Sequence, residues 1–261
     1  MSSSFDVERF ERWRAEIGCG LGSPLTALAI TGSTNDDALT AAREGAAHGT
    51  TFVADHQTSG RGRRGRSWIA EPGDGLLFSV LLRPELEPTR LGLLPLTLGL
   101  AVRAAVSELL PPALAAETRV KWPNDVWVSG RKIAGVLAES RLGGSGAVVV
   151  AGVGINLETR RFPPELEERA TSFARLGVAV EREALLAQAL RGLEMRLGCL
   201  SRAADEIVSE LREYDGLIGR HVRVDGTDGI ASGIDADGRL TLQLCNGDIT
   251  QIHSGHLELL D

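Results

Sequence analysis

The hydrophobic pattern of this 261-residue chain changes period once, near Tyr214-Asp215-Gly216. Ahead of that point, short apolar runs alternate with longer stretches of helical spacing. Beyond it, His221-Val222-Arg223-Val224 and Leu240-Thr241-Leu242-Gln243-Leu244 alternate apolar and polar residues, as half-buried strands do. Asp237-Gly238 and Asn246-Gly247 are hairpin-turn pairs. This break implies an α/β body over residues 1–215 and a small barrel of short strands over 216–261.

Residues 1–24 read as a helical preamble that ends among Gly18, Gly20, Gly22 and Pro24. Residues 25–30 read as a strand. Ser33, Thr34 and Asn35 are N-cap residue types, and Asp36 and Asp37 favour the positive end of a helix running to about residue 47. Further strands are expected over 50–55, 76–82, 118–122, 133–139 and 147–153. Residues 90–110 predict one helix kinked near Pro95, and 182–212 predict another with Gly192 and Gly198 as weak points. The longest apolar stretch, 91–102, is too short to span a bilayer. No apolar run marks a secretory leader, and the three cysteines lack paired spacing, so reduced thiols in a cytoplasm are expected.

Charge then becomes informative. The formal balance is 28 − 35 = −7, yet Arg61, Arg63, Arg64 and Arg66 crowd one glycine-rich loop, leaving −7 − 4 = −11 elsewhere. The sequence Gln57-Thr58-Ser59-Gly60-Arg61-Gly62-Arg63-Arg64-Gly65-Arg66-Ser67-Trp68 reads in three ways. It is a solvated basic loop, a nucleic-acid patch, or a mobile clamp that orders on an anionic ligand. An aromatic content of 4% supplies no stacking platform for nucleic acid. Guanidinium forks suit carboxylate or phosphate oxygens, and the glycines allow close approach. The P-loop spacing is absent.

Three more segments carry chemistry. Arg119-Val120-Lys121-Trp122-Pro123-Asn124-Asp125 places a lysine between two apolar residues at a strand end, where it can act as a fixed charge. Its proline, asparagine and aspartate are also turn chemistry, which is the reading given to Asp125. Gly130-Arg131-Lys132-Ile133-Ala134-Gly135-Val136-Leu137-Ala138-Glu139 is apolar on one face and punctuated by glycine. Gly152-Val153-Gly154-Ile155-Asn156 is a buried strand that loses its side chains just before an amide. His253 and His256 have metal-like spacing without an acidic or cysteine partner and read as a barrel edge.

Taken in this order, the four segments resemble the biotin–protein ligases, over residues 31–157 with a weaker trailing match in the barrel. The resemblance implies an α+β fold: a mixed sheet with helices packed on it, class II synthetase-like, followed by an SH3-like barrel. It implies activation of biotin by ATP to biotinyl-5′-AMP, then transfer to a lysine of a biotin carboxyl carrier protein. Mg²⁺ is implied with ATP, held by phosphates and water rather than by protein metal ligands. Carried over residue by residue, the biotin site comprises Ser33, Thr34, Asn35, Gln57, Arg61, Gly62, Arg63, Lys121 and Gly135. The adenylate site comprises Arg63, Arg64, Trp68, Lys121 and Asn156, with Lys121 and Arg63 carrying the chemistry. Only about 30 residues precede Ser33, so a helix-turn-helix domain is not expected. Neither nucleic acid nor membrane is an expected partner; a homodimer paired through sheet edges is open. A lipoate or octanoyl transferase is the alternative enzyme, and a polyanion-binding module the alternative of another class.

Overall fold

The computed structural model describes residues 4–143 and 146–260. Its larger sheet has seven strands: β1 (Leu25–Thr31), β2 (Thr51–Gln57), β3 (Gly75–Leu82), β4 (Thr118–Lys121), β5 (Asp125–Val128), β6 (Arg131–Gly143) and β7 (Gly146–Asn156). Their spatial order is β1-β2-β3-β7-β6-β5-β4, with β1 parallel to β2 and every other pair antiparallel. The mixed sheet expected from the resemblance is therefore present.

β3 shows why the apolar run had to be a central strand: all eight of its residues are buried. Leu76, Phe78, Val80 and Leu82 point into the main core, while Leu81 joins Ala38, Leu39 and Val150 on the other face. That second face is covered by α2 (Thr34–Arg43). The main core is covered by α1 (Val7–Glu16), α3 (Leu94–Leu109), α5 (Arg182–Arg202) and α6 (Ala204–Glu213); α4 (Pro112–Ala115) is a single turn. Fully burying one such leucine or phenylalanine contributes about 1.5–3 kcal/mol. A stack buried on both faces thus gives the site a stiff floor.

Two helices depart from expectation. In place of one kinked helix over 90–110 there is a 3₁₀ segment, Pro88–Leu93, followed by α3. Pro95 lies in the first turn of α3, where its missing N–H would have had no intrahelical partner. The 182–212 helix breaks at Ala203, which leaves helical geometry at φ −145° and ψ 64°, rather than at either glycine. The span Thr89–Leu109 is long and apolar enough to cross a bilayer, contrary to the expectation for 91–102. It is 61% buried within this molecule and packs against α5 as a core helix.

The smaller sheet is antiparallel throughout, in the order β11-β10-β9-β8-β12. It comprises β8 (His221–Val224), β9 (Thr227–Ile234), β10 (Leu240–Gln243), β11 (Ile249–Ile252) and β12 (Leu257–Leu259), in keeping with an SH3-like barrel. Gly238 and Gly247 have positive φ at the turns read as hairpins. β5 lies where only turn chemistry was expected, and β9, β11 and β12 were not anticipated. Val222, Val224, Leu240, Leu242 and Leu257 continue the main core into this sheet.

Candidate active site

At one end of α2 a chain of polar side chains crosses the sheet. Ser33 is the N-cap, and Thr34 directs both its backbone N–H (2.8 Å) and its Oγ1 (3.0 Å) at Gln57 Oε1. Thr34 Oγ1 also lies 2.7 Å from Ser79 Oγ, and Ser79 donates to Asn35 Oδ1 at 2.6 Å. Asn35 Nδ2 donates to Glu139 Oε2 at 2.7 Å, and Arg61 closes the chain on Glu139 (2.8 Å) and Asp36 (2.9 Å). Ser33, Thr34, Asn35 and Ser79 are all nearly inaccessible. Inside so little solvent each hydrogen bond must be kept, since an unmatched buried donor or acceptor costs about 1–3 kcal/mol. Gly152 makes room for this network: a Cβ there would lie 2.0 Å from Asn35 Oδ1.

The lysine strand forms a second cluster. Lys121 stands on β4 with its side chain 13% exposed, 3.9 Å from Asp125 Oδ2 and 5.3 Å from the Trp127 ring. Burial holds its ammonium below the ordinary lysine range, with Asp125 working in the opposite direction. Lys132 approaches Asp125 Oδ1 at 2.6 Å and lies 5.3 Å from the Trp68 ring. One carboxylate therefore sits between two ammonium groups. Arg63 approaches from the loop; burial lowers its pKa, and the field of Asp125 partly restores it. Arg169 adds a further positive field at Lys121.

The glycines of β6 and β7 have a specific use. Gly135 and Gly154 are register partners. A Cβ on Gly154 would lie 2.3 Å from Trp68 Cε2, and one on Gly135 would lie 2.9 Å from Trp68 Cζ3. The indole of Trp68 lies over this bare pair, with its Nε1 buried and without a hydrogen-bond partner among the described residues. Gly135 was expected to pass a ligand at close range; the close neighbours the structure gives it are Trp68 and Lys132. Asn156, expected at an adenine edge, is 6% exposed, and its Nδ2 donates to Thr171 O at 3.0 Å. It fastens the segment that follows β7.

The arginine loop follows a defined local course. Arg61 and Ser67 form a β-bridge around a 3₁₀ turn at Arg63–Gly65, and Gly62 N–H donates to Arg66 O at 2.7 Å. The four guanidiniums do not share a task. Arg61 pairs with Asp36 and Glu139, Arg64 with Asp225, and Arg66 with His256. Among the described residues Arg63 makes no ion pair. Arg64, expected at the adenylate, is thus turned toward the smaller sheet. A cavity of about 710 Å³ lies beneath the loop, lined by Thr58, Ser59, Arg61, Arg63, Leu137 and Glu139 among others. That volume lies within the usual range for small-molecule sites.

Ser79, Glu139, Lys132 and Asp36 were not among the residues expected at the site. Ser79 carried a signal as the lone hydroxyl in an apolar strand. The others depend on which strands become neighbours, which no local pattern states.

Comparison with known proteins gives this arrangement a family. A family model described as the Biotin/lipoate A/B protein ligase family matches residues 29–156. The chain is 41% identical over 239 residues to the biotin–[acetyl-CoA-carboxylase] ligase of Mycobacterium tuberculosis, covering 87% of this chain and 86% of that protein. Among solved structures, it superposes with a TM-score of 0.77 on the biotin protein ligase from Aquifex aeolicus in complex with biotin and ATP. That match has 31% identity and covers 91% of this chain and 98% of the other. The biotin protein ligase from Leishmania major in complex with biotinyl-5-AMP gives a TM-score of 0.63 at 26% identity, covering 88% of this chain and 98% of that one. The chain belongs to the biotin/lipoate A/B protein ligase family, on the side of its biotin ligases.

Proposed function

We propose that this cleft carries out ATP-dependent biotin–protein ligation through the following residues. The observation that carries the reading is the pair of ammonium groups, the largely covered Lys121 and the half-buried Lys132, on either side of Asp125, whose field also reaches Arg63. Joining biotin to ATP brings a carboxylate against a phosphate, and two anions must be held in contact before any bond forms. A carboxylate oxygen of biotin attacks the α-phosphorus, the bond to the β-phosphate bridge breaks, and pyrophosphate leaves. Lys121 is placed to neutralise the charge shared by the incoming carboxylate and the α-phosphate. Fixed donors of this kind act most strongly where water is excluded.

The polar chain around Thr34 positions the other end of biotin. Thr34 fixes Gln57 by its carbonyl oxygen, so the amide nitrogen of Gln57 is the end that faces a ligand as donor. A ureido group, with one carbonyl and two N–H groups, needs such a fixed set. Arg63 covers the adenylate phosphate, and Trp68 walls the cleft. In the second step a carrier lysine, as the free amine, attacks the acyl carbon and AMP leaves. No side chain of this protein forms a covalent intermediate. Magnesium enters with ATP as part of the substrate; Asp125, the nearby carboxylate, is already matched by two lysines, so phosphates and water are left to hold the ion.

The reading divides the chain at 215/216 into a catalytic unit and a small C-terminal unit. The cysteines Cys19, Cys199 and Cys245 are free thiols, which supports a cytoplasmic setting. β1 is an edge strand with Ile30 67% exposed, which supports pairing of two copies there. The test is transfer. With ATP, magnesium and biotin, the protein should add one biotinyl mass to a single lysine of a biotin carboxyl carrier domain. Replacing that lysine by arginine should abolish the addition. Labelling that ignores the lysine rejects the reading.

A further inference from the structure

Both halves of the site are held from the same side of the molecule. On the lysine strand, Val120 N–H donates to Tyr214 O and Gly216 N–H to Val120 O, each at 2.8 Å. The buried indole of Trp122 donates to Gly238 O at 3.1 Å. On the arginine loop, Arg64 Nη1 lies 2.9 Å from both oxygens of Asp225, and Arg66 Nη2 lies 2.7 Å from His256 Nδ1. Asp225, Gly238 and His256 all stand on turns of the smaller sheet.

The receiving end is built rather than incidental. Asp225 and Gly226 form the two-residue turn between β8 and β9, both left-handed at φ 45° and 88°. Asp225 Oδ1 also accepts the His256 N–H at 2.9 Å. A Cβ on Gly255 would lie 2.3 Å from Val224 Cγ1, so the segment carrying His256 is seated closely on this turn. The loop end is constrained as well: Arg64 is left-handed at φ 58° and ψ 38°. A non-glycine residue keeps that conformation where its surroundings hold it. An isolated exposed ion pair is weak, but several charges in one network hold a geometry better.

We propose that Asp225 and His256 are positioning residues for the ligase site: by holding Arg64 and Arg66 on the smaller sheet, they leave Arg63, which precedes Arg64, within the field of Asp125. The same sheet braces Lys121 through its neighbour Trp122, so it fixes the loop and the lysine in one frame. The catalytic consequence rests on the biotin-ligase reading; the latch itself does not.

Asp225→Asn is the informative variant. Asparagine keeps the left-handed turn and can keep the bond to the His256 N–H, but loses the charge that holds Arg64. Trypsin cleaves after arginine, so it reports release of this loop in the free protein. Cleavage after Arg63, Arg64 or Arg66 should be about two- to fivefold faster in Asp225→Asn than in the parent, with the thermal midpoint unchanged. Release of biotinyl-5′-AMP should rise by a similar factor in Asp225→Asn, in Arg64→Gln and in the double variant, because both changes break one contact. Equal cleavage in parent and Asp225→Asn overturns the latch whatever the ligand is. A much larger effect of Arg64→Gln, multiplied further in the double variant, places Arg64 on the adenylate itself and also overturns it. If the parent forms no biotin-dependent adenylate, the functional reading fails while the cleavage result still decides the latch.

Discussion

Replacing Lys121 by methionine separates catalysis from stability. The side chain is 13% exposed and its nearest carboxylate oxygen is 3.9 Å away, while Lys132 reaches the same aspartate at 2.6 Å. Lys121 therefore gains little from Asp125, and Asp125 keeps a partner when Lys121 is removed. Burial lowers the lysine pKa in the fold, so the unfolded chain binds the proton more tightly. The resulting cost is fully present at pH values below the folded-state pKa. It fades as pH rises toward the ordinary lysine range. Lys121→Met should thus unfold at the same urea concentration as the parent or a higher one. Adenylation should fall about 100- to 1,000-fold, the usual effect of losing one preorganised charge contact and equivalent to about 2.7–4 kcal/mol. Biotin-dependent pyrophosphate release under single-turnover conditions measures the rate, and urea unfolding measures stability. A rate within about threefold of the parent, less than about 0.7 kcal/mol in barrier, refutes the role given to Lys121. A loss of stability as large as the loss in rate refutes the argument that the lysine is held there at a cost.

Three other outcomes follow from the geometry. Gly154→Ala sets a Cβ 2.3 Å from Trp68 and should cost about 1–3 kcal/mol in urea unfolding; adding Trp68→Ala should recover part of the loss, whereas additive losses contradict the indole seat. Arg63→Gly should speed release of bound adenylate in a filter or fluorescence assay, and an unchanged off-rate rejects the clamp. Burial raises Asp215 from 3.8 to about 6, and its Oδ2 has no hydrogen-bond partner among the described residues. The folded state then binds the proton more tightly, so stability falls as pH rises from about 4 to about 6. The cost is about 3 kcal/mol at about 1.4 kcal/mol per pH unit. Asp215→Asn should flatten that part of the pH profile relative to the parent; parallel profiles refute the assignment.

Much of this molecule was legible in its sequence because the informative signals were local. An apolar run such as 76–82 has few solutions other than a covered strand, and Ser33-Thr34-Asn35 are helix-start residues wherever they occur. The lysine between Val120 and Trp122 marked itself by its neighbours. What escaped depends on contacts between distant segments. Gly135 and Gly154 suggested close approach, but only the β6–β7 register shows that Trp68 occupies the space. Four arginines in one loop suggested one shared ligand, whereas the fold sends them to different partners, two of them in the smaller sheet more than 150 residues away in sequence. The helix break at Ala203 has no breaker residue and arises where α6 turns to pack against the core.

Activation of biotin with ATP is the first chemical step assigned to this cleft. Exchange of labelled pyrophosphate into ATP tests it most directly, because it reads the first chemical step without a carrier protein. With magnesium present, exchange should require biotin, should be absent with lipoate in its place, and should collapse in Lys121→Met. Exchange that proceeds equally without biotin, or that lipoate supports and biotin does not, contradicts the account.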